Sequence, residues 1–382
     1  MKRFLLILIA IILSGNDSTA QISGSFVFEG INRTWKVWLP AGYTGQEPLP
    51  LLLALHGLTQ NGQSIMEFSG FNQVADTAGF IVAYPDGVNN SWNVGFAGGS
   101  TANDVGFLLA LTDTLNLLYN VDMQRVYATG FSNGGFMSYR LACESSDRIA
   151  AIAPVAGTMT DGSFNACLPQ RAVPVLHIHG TSDFVVSYNG GFGNKSVDQV
   201  LAYWVDYNAC PTLPVTEMLP DSYPDGSTVQ KQTWSPCDDN TRVVLLKVIN
   251  GGHTWPGSVG VTGIGITNRD INASSEIWNF VKQFHLEETS GTEDRVVNPL
   301  KLYPNPVSNG KLNLIQEGKG LIGEGLLEIF SITGQRLKYQ TISPDEPVIS
   351  IDIAALRKGI YVVVISGADG KRAAGRFVVQ PM

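Results

Sequence analysis

Arg125-Val126-Tyr127-Ala128-Thr129-Gly130-Phe131-Ser132-Asn133-Gly134-Gly135 is the stretch on which the reading of this chain turns. Its first five residues are strand-like, residues 130–134 spell G-x-S-x-G, and a helix-like run, Gly135 to Cys143, follows. A serine on a sharp strand-to-helix turn has its hydroxyl pushed clear of the sheet, beside the free backbone N–H groups of a helix start. Small residues on either side let such a turn close without a side-chain clash. A bare G-x-S-x-G means little, because glycine and serine are common. With a strand before it and a helix after it, the stretch predicts a nucleophile elbow with Ser132 at its tip.

Working outward, apolar β-branched runs recur at 35–39, 51–55, 80–84, 126–129, 149–155, 173–177 and 243–249. Helix-like stretches at 64–78, 104–119, 135–143, 197–208 and 273–285 lie between most of them. Strands that alternate with helices and read as continuous hydrophobics predict an α/β fold, a mostly parallel sheet covered on both faces. Reactive groups in such sheets collect at the carboxyl ends of the strands. From Glu287 the chain turns polar and charged, a linker composition over 287–298. Beyond it, short β-like segments at 312–315, 326–331, 348–353, 361–366 and 376–379, split by turn signals, predict a small all-β sandwich over 299–382.

Composition narrows the function classes. The 382 residues suffice for two domains, and the formal net charge is -8. Ten Lys/Arg and seven Asp/Glu fall after residue 298, so an acidic body carries the imbalance; with no basic stripe, it excludes nucleic acid as the default partner. Lys2 and Arg3, the apolar run 4–13 and the closing Ser18-Thr19-Ala20 read as a signal peptide over 1–20, with the mature chain starting at Gln21. The apolar run is too short to span a bilayer, and no other stretch approaches the length needed. Export implies an oxidising setting, where four cysteines suggest two disulfides. Sequence proximity pairs Cys143 with Cys167 and Cys210 with Cys237. No C-x-x-C is present, and no metal or cofactor is expected.

A serine hydroxyl needs a base to take its proton, and the base needs an orienting acid. Of the five histidines, His285 sits in a helix tail, and His177 and His179 alternate along a strand. His56 ends a strand and reads as a structural hydrogen-bonder. His253, in Asn250-Gly251-Gly252-His253-Thr254-Trp255-Pro256-Gly257 just past the last strong strand, is the candidate base. Asp183, in His179-Gly180-Thr181-Ser182-Asp183, is the candidate acid, with Asp238 and Asp239 as positional rivals. The order Ser132…Asp183…His253 is the α/β-hydrolase order. The oxyanion hole calls for two preorganised N–H donors. One is the amide of Asn133; the other is that of Leu58 or Thr59. The H-x-H pair His177 and His179 lacks a third ligand and reads as core histidines. Among aromatics near these motifs (Trp92, Phe96, Phe131, Tyr188 and Trp255), Trp92 and Trp255 are the candidates for substrate contact.

Residues 24 to 285 resemble the secreted polyhydroxybutyrate depolymerase/feruloyl esterase group of α/β-hydrolases. The resemblance rests on Leu55-His56-Gly57, Tyr84-Pro85-Asp86-Gly87, Asn103-Asp104-Val105-Gly106-Phe107, the elbow, His179-Gly180-Thr181-Ser182-Asp183 and Gly252-His253-Thr254-Trp255-Pro256-Gly257. It implies the same roles for Ser132, Asp183 and His253, in a hydrolase domain over 21–286. Ser187 departs from the pattern, which usually has proline before the residue matching Tyr188. The tail resembles the C-terminal sorting domain of Bacteroidetes proteins exported by the type IX (Por) system. Here the carriers are Leu302-Tyr303-Pro304-Asn305-Pro306, Ile332-Thr333-Gly334-Gln335, Leu356-Arg357-Lys358-Gly359-Ile360-Tyr361 and Gly375-Arg376-Phe377-Val378-Val379. All seven tryptophans precede the linker, which disfavours a carbohydrate-binding module.

The resemblance implies a secreted serine carboxylesterase acting on feruloyl or acetyl esters of xylan, with the type IX machinery as partner and a secreted or surface-attached destination. Depolymerisation of polyesters is the other enzymatic expectation. A non-catalytic surface binding protein on a hydrolase fold is the reading from another class. Too few residues separate the strands ending near Val155 and starting at Val173 for a lid domain, so an open site is expected.

Overall fold

A strand order of β1-β2-β4-β3-β5-β6-β7-β10-β9-β8 organises the first part of the chain. The strands are β1 (Ala20–Phe28), β2 (Ile31–Leu39), β3 (Leu49–Leu55), β4 (Ile81–Pro85), β5 (Val121–Phe131), β6 (Ala151–Val155), β7 (Val175–Gly180), β8 (Val215–Met218), β9 (Thr228–Trp234) and β10 (Val243–Ile249). The central run from β4 to β10 is parallel, and antiparallel strands extend it at both edges. This computed structural model describes residues 20–96, 99–191, 193–258, 264–286, 300–315, 325–331, 336–343, 348–357, 359–367 and 372–379. All but the last residue of the expected leader, and the expected linker 287–298, lie outside the described residues.

Helices α1 (Gly62–Ser69), α2 (Phe71–Ala78), α3 (Asp104–Tyr119), α4 (Asn133–Glu144), α5 (Asp161–Asn165), α6 (Val197–Tyr207) and α7 (Ala273–Val281) fill the connections. Side chains alternate across a strand, so one β3 serves two cores. Leu51, Leu53 and Leu55 pack with α3, α4 and α6, whereas Leu52 and Ala54 pack with α1, α2 and α7. Full burial on both faces explains why these strands read as unbroken hydrophobic runs. Each such leucine contributes about 1.5–3 kcal/mol. Helix starts carry their own signals: Asn103 accepts the Gly106 amide, and Ser196 with Gln199 forms a capping box. Among the described residues no helix is long and apolar enough to cross a membrane.

Several elements depart from the sequence expectation. The single helix over 64–78 is two, because Gly70 takes a left-handed φ of 69° and ends α1 while starting α2. The polar excursion between Cys210 and Cys237 contains β8, an exposed edge strand, and β9 just inside it, whose partly exposed residues include Thr, Gln and Lys. β1, with its alternating polar residues, is the other edge. Both expected disulfides are present, Cys143–Cys167 and Cys210–Cys237.

In the tail, β11 (Lys301–Tyr303), β12 (Lys311–Ile315) and β15 (Val348–Asp352) form one antiparallel sheet. β13 (Gly325–Ser331), β14 (Arg336–Ile342), β16 (Gly359–Gly367) and β17 (Arg372–Val379) form a second. Leu312, Leu314 and Ile351 of one sheet share a core with Leu327, Ile329, Val363 and Phe377 of the other, which is a sandwich. The exposed β11 and β14 were not legible as strands. Arg376 of β17 donates to the carbonyls of Leu117 and Leu118 in the last turn of α3, where a cation is favoured.

Cys143–Cys167 closes a loop of 24 residues between the end of α4 and the approach to β7. The double variant Cys143→Ala/Cys167→Ala is expected to lose about 3 kcal/mol of unfolding free energy in denaturant melts, the loop-closure value for that length.

Candidate active site

The backbone makes the site before any side chain does. β5 runs into α4 through Ser132, which holds φ 54° and ψ −117°, a conformation that L residues seldom adopt. Its amide donates to Val155 O at 2.9 Å, locking the turn against β6. The two glycines of the motif are sterically required. A Cβ on Gly134 would lie 2.0 Å from Leu55 O, and one on Gly130 2.4 Å from the Gly134 carbonyl carbon. Only bare backbone lets β3, β5 and α4 approach so closely.

β7 and β10 are parallel neighbours, and the loops beyond them bond to each other. Thr181 N–H donates to Val248 O and Ser182 N–H to Gly251 O, each at 2.9 Å. Asp183 therefore meets His253 across this junction, with His253 Nδ1 2.7 Å from Asp183 Oδ2. The other carboxylate oxygen accepts the amides of Val185 (2.9 Å) and Val186 (2.8 Å). Burial pushes the Asp183 carboxyl up, but the hydrogen bonds from His179 and His253 outweigh it and hold the group below the usual carboxylate range. Phe131, on the elbow, lies against the His253 ring with centroids 4.7 Å apart. Ser132, Asp183 and His253 thus occupy the carboxyl ends of β5, β7 and β10. The rivals Asp238 and Asp239 are exposed in the turn before β10 and take no part.

The loop after β3 is held by the motifs that carry the resemblance. His56 Nε2 accepts the Gly87 amide at 2.9 Å, so its Nδ1 donates to Gly57 O at 2.7 Å. His56 is structural, and burial keeps its imidazole below the ordinary range. Asp86 caps Gly62 N–H and Thr34, while Asp104 holds Arg33 at 2.6 Å in a buried ion pair and accepts the Asn93 amide. In the loop itself, Gly57 N–H donates to Gln60 Oε1 (2.9 Å), Thr59 N–H to Asn90 O (2.9 Å) and Gln60 N–H to Gly57 O (3.2 Å). Leu58 N–H alone of the four has no acceptor among the described residues. Of the two alternatives, Thr59 thus has its amide already bonded to Asn90 O. The Asn133 amide opens α4, where helix geometry supplies no acceptor.

The expectation for Trp92 and Trp255 is corrected. Each is only 1 % exposed, and both are braces. Trp92 donates its indole N–H to His56 O (2.9 Å) and its amide to Asn133 Oδ1 (2.7 Å), tying the loop after β3 to the elbow. Trp255 donates to Ser274 Oγ at 3.1 Å and packs edge-on against Phe68 and Phe71. The exposed apolar side chains in the loops after β3 and β7 are instead Leu58 (57 % exposed), Phe184 (71 %) and Val185 (55 %). The signal for the last two was adjacency to Asp183. Ser187, the departure from the family pattern, lies in a turn closed by Gly190 N–H on Ser187 O.

A doubly covered parallel sheet with a serine elbow, and a histidine–aspartate pair at neighbouring strand ends, defines an α/β-hydrolase. Residues 33–200 match the family profile described as esterase PHB depolymerase, and residues 301–380 match the secretion system C-terminal sorting domain. The chain is 30% identical over 263 residues to a bifunctional acetylxylan esterase/xylanase of Neocallimastix patriciarum, covering 68% of this chain and 34% of that protein. With feruloyl esterase B of Piromyces equi it shares 30% identity over 268 residues, 65% of this chain and 45% of that protein. With NocK of Nocardia uniformis subsp. tsuyamanensis, a protein named as an esterase, it shares 30% over 257 residues, 62% of this chain and 74% of that protein. The chain belongs to this esterase family. It spans about a third and under half of the length of the first two relatives. An acetyl xylan esterase structure from Aspergillus awamori has the same fold, with a TM-score of 0.50 at 15% identity over 69% of this chain and 99% of that one. The sorting-domain match marks an exported protein, secreted or held at the cell surface.

Gly134→Ala is expected to cost about 3 kcal/mol or more in denaturant melts, since backbone rather than a flexible side chain meets the new methyl. Asp183 has a depressed folded pKa, so its contribution is present above the unfolded value near 4 and lost as pH falls through the folded one. The stability difference between wild type and Asp183→Asn is expected to be present above about pH 4 and to shrink on further acidification, followed by melts across a pH series.

Proposed function

We propose that the protein is a secreted serine carboxylesterase that hydrolyses polymer-linked esters, feruloyl or acetyl groups on xylan, through an acyl-enzyme. The observation that carries this is the 2.7 Å contact between His253 Nδ1 and Asp183 Oδ2 at the strand ends beside the Ser132 elbow. In this mechanism Asp183 holds the Nδ1 proton, leaving His253 Nε2 free to take the proton of Ser132 as its oxygen attacks the ester carbonyl. The carbonyl oxygen gains charge and is met by the amides of Asn133 and Leu58. The tetrahedral species collapses to acyl-Ser132, and His253 returns the proton to the departing alcohol. Water, deprotonated by His253, then attacks the acyl carbon and releases the acid and free Ser132.

A polymer suits this site. Among the described residues the connection from β6 to β7 carries only the five-residue α5, so no helical lid stands there. Exposed Leu58, Phe184 and Val185 offer an apolar shelf for an acyl group, and two relatives carry acetylxylan or feruloyl esterase names. The family profile, described as esterase PHB depolymerase, favours one second reading, in which the same triad cleaves a polyester. We also assign residues 21–286 to the hydrolase, 287–298 to the linker and 299–382 to a tail that engages the type IX secretion machinery.

The test is product release from feruloylated arabinoxylan, acetylated xylan and amorphous polyhydroxybutyrate by the mature chain from Gln21. Release from the xylans, abolished in Ser132→Ala, is the expected result; release from the polyester alone selects the second reading. Silence on all three returns the binding-protein alternative. On a responsive substrate His253→Ala is expected to lower kcat by about 10⁶-fold and Asp183→Asn by about 10⁴-fold, the orienting acid being the least essential member.

A further inference from the structure

A line of buried side chains behind Asp183 takes no part in the steps above. The Tyr139 hydroxyl lies 2.8 Å from His177 Nδ1, and His177 Nε2 lies 3.1 Å from His179 Nδ1. His179 Nε2 then sits 2.8 Å from Val186 O and 3.3 Å from Asp183 Oδ2. Tyr139, His177 and His179 are all buried, so each proton must have a partner within the protein.

Those partners fix the direction of every bond. Burial holds the Tyr139 hydroxyl well above its ordinary pKa, so it keeps its proton, and His177 Nδ1 is its only acceptor among the described residues. His177 then donates through Nε2, and His179 accepts at Nδ1. His179 Nε2 faces a carbonyl, which can only accept, so this nitrogen carries the proton. Burial, with His179 as neighbour, keeps His177 well below the ordinary imidazole range, in agreement with one proton on its ring.

We infer that His179 is a positioning residue for Asp183, with its tautomer set by His177 and Tyr139. The inference rests on the Ser132–His253–Asp183 reading. A carboxylate offers about four acceptor positions. At Asp183 the Val185 and Val186 amides take two on Oδ1, and His179 takes one on Oδ2, which leaves a single direction for His253. His179 also grips Val186 O, so it holds both ends of the turn that carries the acid. That turn shows Phe184 and Val185 to solvent, and its restraint comes from beneath. A misplaced acid would let the imidazole swing, and displacements near 1 Å cost up to about 100-fold in rate.

Two measurements test this on the mature full chain. In ¹⁵N-histidine NMR at neutral pH, His177 and His179 are both expected in the uncharged Nε2–H form; either ring as Nδ1–H, or doubly protonated, would overturn the assignment. In steady-state kinetics with 4-nitrophenyl acetate, His179→Met is expected to lower kcat by about 10- to 100-fold with little change in KM. His179→Gln, which restores an N–H near the Nε2 position, is expected to recover about tenfold of that loss. Tyr139→Phe, which deletes one hydroxyl and keeps the ring, is expected to lower kcat by a smaller factor. Should His179→Met fail to fold, Tyr139→Phe and the NMR tautomers still decide. Variants that fold and keep wild-type kcat would reduce the line to core packing. If Ser132→Ala retained turnover, the site reading would fall, while the tautomers would still judge the hydrogen-bonded line.

Discussion

The close approach of three backbone segments at the elbow is the constraint on which the rest of the structure depends. Gly130 and Gly134 let β5 and α4 press against the end of β3, where a methyl would meet Leu55 O at 2.0 Å. That contact forces Ser132 into a positive φ and anchors its amide on Val155 O of β6. A strained serine persists only when its surroundings over-determine it. Here the cover is ample: the β3, β5 and β6 strands around it are buried on both faces.

From that fixed point the site is assembled by loops that restrain one another. The loop after β3 is tied to the segment after β4 through His56 and Gly87, and to the elbow through Trp92 and Asn133. The loops after β7 and β10 share hydrogen bonds, so Asp183 and His253 arrive as a unit. Pre-organisation of this kind matters because electrostatic stabilisation works only when the donors are already in place. The buried Arg33–Asp104 pair serves the same end, since Asp104 also takes the Asn93 amide next to Trp92.

The two tryptophans show why residue type near a motif is weak evidence of contact with substrate. Trp255 lies two residues from His253 and Trp92 is bonded to Asn133 and His56, yet both rings are buried and their N–H groups find buried partners. Large aromatics most often have this fate. The apolar side chains left exposed in these loops are a leucine, a phenylalanine and a valine.

The α/β class, the strand ends that carry Ser132, Asp183 and His253, and both disulfide pairings were legible in the chain itself. Each rests on local pattern: doubly buried strands read as hydrophobic runs, an elbow needs small residues at fixed offsets, and nearby cysteines pair. Edge strands β1, β8, β11 and β14, and β9 beside the edge, were not legible, because strands exposed to solvent carry polar residues that read as loop. Nor could composition separate Leu58 from Thr59, since the choice turns on which amide Asn90 O already occupies. The line from Tyr139 to Asp183 joins α4 to β7 and the loop beyond it, residues up to 44 positions apart in the chain. Sequence determined which residues the strand ends would carry. Tertiary structure alone decided which donors stay free and which rings are buried, because both depend on contacts between segments distant along the chain.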